Sequence, residues 1–158
     1  MATATLQPRL NYKEASPEGV RAMYQLEHVI RTSNLERSLI ELVKIRASQL
    51  NGCAFCIDMH TKDARSIGET EQRIYALNAW EETPFFTERE RAALAWTEAL
   101  TNIQKGHAPD EVYQEVAAHF GESDLMNLTL AITTINAWNR IAIATRMVPG
   151  SYQPASHS

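Results

Sequence analysis

The chain has 158 residues, 44% hydrophobic and 22% charged, with a formal net charge of -4 and two cysteines. A chain of this length hides about 68–70% of its unfolded surface without staples, which predicts one globular domain over 1–158 with an ordered core at about 10–148. Six Gly and six Pro exclude a fibrous or low-complexity chain, and a mildly acidic balance with no basic stripe argues against nucleic acid and anionic lipid as partners.

Met1 to Leu10 lacks the apolar core of a secretory signal, so a reducing cytoplasm is expected, where a staple disulfide is out of place. The longest uncharged run, Leu125 to Asn139, is interrupted by Asn127, Thr129, Thr133, Thr134 and Asn136, and is too short and too polar for a membrane span.

Start and stop signals divide the chain into helices, and no segment alternates apolar and polar residues over a β-branched run, so the predicted class is all-α. Ser16 as cap and Pro17 as first residue open a helix whose Val20, Met23, Leu26, Glu27 and Ile30 form a mostly apolar stripe up to Arg31, ending near Thr32. Asn34 is the expected cap of a second helix with Leu35, Leu39, Leu42, Val43 and Leu50 on one face, stopped by Asn51-Gly52. A third runs from about Cys53 to Gly68. Thr70 with Glu71 opens a short fourth through Ile74, Leu77 and Trp80, broken by Pro84.

Thr87 with Glu90 is a capping box ahead of the apolar face Ala92, Ala93, Trp96, Ala99, Leu100 and Ile103. Pro109 opens a sixth helix, lined by Val112, Val116 and Phe120 up to Gly121. Ser123 or Asp124 is expected to cap a long apolar helix that reaches Arg146 with a bend near Trp138 to Arg140. Pro149 and Gly150 end the order, and Ser151 to Ser158 reads as a solvated tail.

Both cysteines fall in Cys53-Ala54-Phe55-Cys56, just after a helix stop. The first turn of a helix has unpaired N–H groups and the positive end of the helix dipole, which favour thiolate over thiol. Spacing of i,i+3 brings both sulfurs to one side, where a disulfide closes with little backbone movement. His60, one turn beyond Cys56, can take the Cys56 proton directly or through a water. Cys53 lies about 10 Å of helical rise from His60, so its activation rests more on the helix terminus. Glu41, on the preceding helix of the same hairpin, is placed to fix the tautomer of His60 and to stabilise its protonated form.

The run from Glu41 through Asn51-Gly52-Cys53-Ala54-Phe55-Cys56 to His60 resembles the active-site segment of the AhpD-like alkylhydroperoxidases, of the carboxymuconolactone decarboxylase superfamily. A Glu twelve residues before the first Cys, the CxxC pair and a His four after the second Cys form that family's thiol peroxidase relay, and they match Glu41, Cys53, Cys56 and His60. The founding members carry a further His where this chain has Phe55. The end segment Ile135 to Arg140 is similar to the last helix of compact members. The resemblance implies an AhpD-like helical bundle, a CxxC dithiol/disulfide cycle that reduces a small hydroperoxide, and a lipoyl or thioredoxin-type dithiol reductant. It also implies a homo-oligomer, trimer or hexamer, and no cofactor.

Three other readings of the same residues are weaker. As a staple the CxxC ring contributes only about 2 kcal/mol, against roughly 3 for a 15-residue loop. Zinc would find three ligands in Cys53, Cys56 and His60, but there is no second CxxC or neighbouring His pair, so no metal is assigned. Taken alone, Glu41 is a helix charge that would pair with Arg37 or Lys44. At the level of function the alternatives are a lactone decarboxylase on the same fold, which has no use for two adjacent sulfurs, and a redox-sensing oligomer without turnover. His28, His107, His119 and His157 receive no role. Trp80, Trp96 and Trp138 read as core or subunit interface, and Arg46 and Arg140 as pairing with carboxylates at such an interface.

Overall fold

The computed structural model describes residues 5–155, so the first four residues and the last three, His157 among them, lie outside it. The architecture is all-α: α1 (Tyr12–Ala15), α2 (Pro17–Arg31), α3 (Arg37–Asn51), α4 (Ala54–Ser66), α5 (Glu71–Ala76), α6 (Glu88–Thr101), α7 (Asp110–His119) and α8 (Glu122–Thr145). There is no strand among the described residues. Helix α3 is central, packed against α4, α6 and α8, while α2 lies on α8 and α7 on α6.

Local chemistry sets most of the boundaries. Pro17 is the first residue of α2, and the Thr87–Glu90 capping box is complete in both directions, satisfying two orphan donors. Gly52 stops α3 in the left-handed region at φ 67°, and its N–H and that of Cys53 return to the Gln49 and Ser48 carbonyls. A Cβ at Gly52 would meet nothing within 4 Å, so the cost of a side chain there is conformational rather than steric. Gly52→Ala is therefore expected to destabilise the fold by roughly 1–2 kcal/mol, the left-handed penalty for an L-residue, as read from the denaturant midpoint.

Other boundaries differ from expectation. The cap of α3 is Glu36, not Asn34, because a loop through Ser33 to Leu35 intervenes and the Ser33 hydroxyl bonds the Ile30 carbonyl instead. Pro109 and Gly121 are themselves the caps of α7 and α8, displacing Ser123 and Asp124 into the helix. The short fourth helix splits after Ala76 into α5 and a 3-10 segment, Leu77–Glu82, which is itself kinked at the non-helical Ala79. Helix α8 runs unbroken through Trp138 to Arg140. The single turn α1 has no apolar stripe to announce it.

The core has three parts. One, between α2, α3, α6, α7 and α8, holds Ile30, Leu39, Val43, Ala93, Trp96, Phe120, Leu128 and Ile132. A second, under the 3-10 segment, holds Leu42, Ile45, Leu77, Trp80, Phe86 and Leu94. The third joins Ala47, Cys53, Cys56, Ile135 and Ala142, so the sulfurs sit where α8 crosses the α3–α4 hairpin. Arg46 pairs with Glu98 inside the chain and also meets Asn78, and Arg140 bonds Asn136 one turn back, so neither needs a subunit interface for a partner. No described helix is long and apolar enough to cross a membrane.

Candidate active site

The α3–α4 turn delivers the cysteines in unequal positions. Cys53 is the N-cap of α4 rather than a residue of its first turn, and its sulfur accepts the Cys56 backbone N–H at 3.4 Å. Cysteine is not among the usual capping residues; here the thiol takes the place that a Ser or Asp oxygen would fill. Both thiols are free and buried, with their sulfurs 2.8 Å apart.

This geometry separates their acidities. The hydrogen bond from the Cys56 thiol, helped by the Cys56 and Phe55 N–H groups and the Asn139 side chain, outweighs burial and draws Cys53 down to about 7. Cys56 is pushed above the ordinary thiol range because its proton is donated to Cys53, because it is buried, and because the Cys53 charge opposes a second one beside it. The pair thus sheds one proton near neutrality and holds the other between the sulfurs.

A cavity of about 450 Å³ opens beside the pair, and Cys56 lines it while Cys53 does not. Glu41 from α3 and His60 and Asp63 from α4 share its wall. His60 is buried, and its Nδ1 lies 2.8 Å from Glu41 Oε2. An ionised carboxylate only accepts, so this contact puts a hydrogen on Nδ1, and in the neutral ring Nε2 is then the atom with the lone pair. Glu41 therefore pairs with neither Arg37 nor Lys44; Lys44, one turn further on, is buried and bonded to Glu27 of α2.

Several contributors escaped sequence reasoning. Asn139 on α8 is fully buried; it donates to Ser48 Oγ at 3.0 Å and accepts from Asn51 at 2.9 Å, linking α8 to the end of α3 behind the sulfurs. Tyr152 in the tail donates to Asp63 at 2.7 Å. Lys62 bonds the Gly150 and Tyr152 carbonyls, and Asp58 accepts the Gly150 N–H. The expectation of a solvated tail from Ser151 to Ser158 therefore fails at Tyr152 and Pro154, which are half-buried and, with the exposed Ala155, form part of the cavity wall. Burial, with the Glu41 charge adding to it, raises the Asp63 carboxyl above its usual range. Trp80 and Trp96 are core, bonded to Glu98 and Thr129, but Trp138 lines the cavity against Tyr24, ring centres 5.5 Å apart.

Glu41, His60 and Asp63 have ligand atoms within 4.8 Å of one another, a spacing that could hold a cation. Neither cysteine belongs to that group, and the Glu41–His60 and Asp63–Tyr152 bonds already engage its members.

The chain as a whole resembles known proteins in sequence and in fold. The model of the carboxymuconolactone decarboxylase family matches residues 17–99, a stretch that includes Glu41, both cysteines and His60 but ends before α8. Protein YdfG of Bacillus subtilis (strain 168), itself uncharacterized, is 51% identical over 136 residues, 86% of this chain and 92% of that protein. A crystal structure of an Agrobacterium tumefaciens protein of unknown function, described as a candidate antioxidant defence protein AhpD, matches with a TM-score of 0.86 at 44% identity over 95% of this chain and all of that one. The debrominase Bmp8 in its apo form shares the fold at a TM-score of 0.78 and 21% identity, over 87% of this chain and 74% of its own.

Proposed function

Because the chain belongs to the carboxymuconolactone decarboxylase family, and because the cysteine pair meets a cavity beside a His–Glu pair, we propose that it is a thiol-dependent peroxidase of the alkylhydroperoxidase type. The observation that carries this reading is the asymmetry of the sulfurs: Cys56 faces the cavity with its proton still on, and Cys53 stands behind it as the more acidic partner.

His60 Nε2, oriented by Glu41, takes the Cys56 proton, and the thiolate attacks the terminal oxygen of a hydroperoxide. The O–O bond breaks, Cys56 becomes a sulfenic acid, and the leaving alkoxide departs as the alcohol with the proton held by His60. Cys53 thiolate then attacks the Cys56 sulfur; an S–S bond forms and hydroxide leaves as water, protonated from solvent. The two sulfurs together lose two electrons and the peroxide gains them. A dithiol of lipoyl or thioredoxin type restores the pair by exchange at Cys56, the sulfur that the cavity reaches. A cytoplasmic setting and a trimeric or hexameric assembly complete the proposal.

The test is loss of hydroperoxide against dithiol donors in a stopped assay. Many turnovers per subunit are expected, with a rate that rises as pH passes up through about 7, the value at which Cys53 deprotonates. Cys53 must be thiolate to displace hydroxide, and its lowered pKa means that form is lost only as the pH falls through about 7. One equivalent consumed and no more with every donor would replace catalysis by redox sensing. Activity on carboxymuconolactone surviving Cys53→Ser/Cys56→Ser would assign the decarboxylase instead.

A further inference from the structure

The cavity that reaches Cys56 is far larger than hydrogen peroxide needs, and its chemistry is divided. Trp138, Tyr24, Tyr12, Phe55, Met59 and Met147 give it an aromatic and thioether wall. Volumes of roughly 300–1,000 Å³ with apolar lining and a few polar groups are typical of organic ligand sites. Its three carboxylates are engaged: Glu27 by Lys44, Glu41 by His60, Asp63 by Tyr152. Its outer cations meet no carboxylate. Lys13, Arg31 and Arg37 all line the cavity and all are exposed, and among the described residues none has a carboxylate within ion-pairing distance. Arg31 closes α2 and Arg37 opens α3, so the two arginines flank the short 32–36 loop, and both line the cavity.

We propose that this cavity binds an amphipathic carboxylic acid, its apolar body against Trp138 and Tyr24 and its carboxylate held by Arg31 and Arg37 with Lys13 beside them. The guanidinium fork matches a carboxylate in two parallel hydrogen bonds. A carboxylate is favoured over a phosphate because these donors are solvent-facing side chains, which leave the water around a dianion largely in place. The inference deepens the proposed function by naming the substrate as an acid that carries its own hydroperoxide, such as a fatty-acid hydroperoxide. Its binding half does not depend on the peroxidase reading.

Binding is measured first, on the reduced protein without peroxide. Decanoic acid and decanol are titrated against tryptophan fluorescence, with Trp138→Phe to assign the signal, and against calorimetry. Decanoate is expected to saturate and to bind about tenfold more tightly than decanol, the scale of one or two exposed charged contacts. Arg31→Gln/Arg37→Gln, checked for native helicity by circular dichroism, is expected to erase that preference. Equal binding of the two ligands, or an unchanged preference in the double variant, overturns the proposal, and tighter binding of decyl phosphate overturns the head-group assignment. Turnover comes second: the ratio of kcat/KM for linoleic acid hydroperoxide to that for its methyl ester should favour the acid and collapse to about one in the double variant. Decanoate bound as predicted with no hydroperoxide consumed would overturn the peroxidase reading alone. Consumption of cumene hydroperoxide without any decanoate preference would overturn the acid site alone.

Discussion

Cys56→Ser is expected to lower hydroperoxide turnover by about 10³ or more, while Cys53→Ser stops multiple turnover but still consumes about one equivalent of peroxide per subunit. The difference comes from position rather than from acidity. Cys53 is the sulfur drawn down to about 7, and acidity alone would make it the attacking thiolate. It also caps its own helix and, although both sulfurs are buried, is absent from the cavity wall that Cys56 shares with His60. A thiolate that cannot meet the peroxide is a resolving group, and a low thiol pKa serves resolution equally well. Treated with one equivalent of cumene hydroperoxide and then dimedone, Cys53→Ser should carry the sulfenic acid adduct on Cys56, and Cys56→Ser should carry none. An adduct on Cys53 with none on Cys56 would reverse the two roles. Loss of the acid partner also changes Cys56 in a measurable way. Without the Cys53 charge beside it, the upward push on Cys56 is relieved in Cys53→Ser, and thiolate absorbance should report one group titrating closer to the ordinary cysteine range.

Much of this site was legible in the sequence, because its signals are local. Gly52, the CxxC pair and His60 lie within nine residues, and Glu41 is on the helix that Gly52 terminates, so a hairpin suffices to bring them together. The thiol cap was not legible, since cysteine carries no capping preference and the first-turn and cap positions differ by one residue. What closes the site was hidden for a different reason. Asn139, Trp138 and Tyr152 come from segments about 80–90 residues away in sequence, and nothing in their own neighbourhood distinguishes a buried amide that braces α3 from an interface polar residue. The tail had the composition of a solvated end. Its order comes from three partners on α4, Asp58, Lys62 and Asp63, whose i,i+4 and i,i+5 spacing reads from sequence as an ordinary charged helix surface.

His60→Gln is expected to cost about 10²–10⁴ in kcat/KM, the range for loss of a positioned general base, with the helical fold unchanged. The stake is high because Cys56 holds its proton more tightly than a free thiol, so the thiolate that attacks must be generated in the cavity. Glu41→Gln is the sharper probe. It keeps volume and one acceptor oxygen, yet its amide can also donate to Nδ1, which would shift the ring hydrogen to Nε2 and turn the base into a donor. Removal of the carboxylate charge further disfavours the imidazolium that must form when Cys56 loses its proton. A loss between tenfold and that of His60→Gln is expected, and the double variant should be no worse than His60→Gln, because residues that act as one unit do not add. A purely structural Glu41–His60 bond would lower the thermal midpoint of Glu41→Gln while leaving kcat/KM and its pH profile where they were. Full activity in Glu41→Gln, or losses that multiply in the double variant, would separate the carboxylate from the proton transfer and leave His60 to act alone.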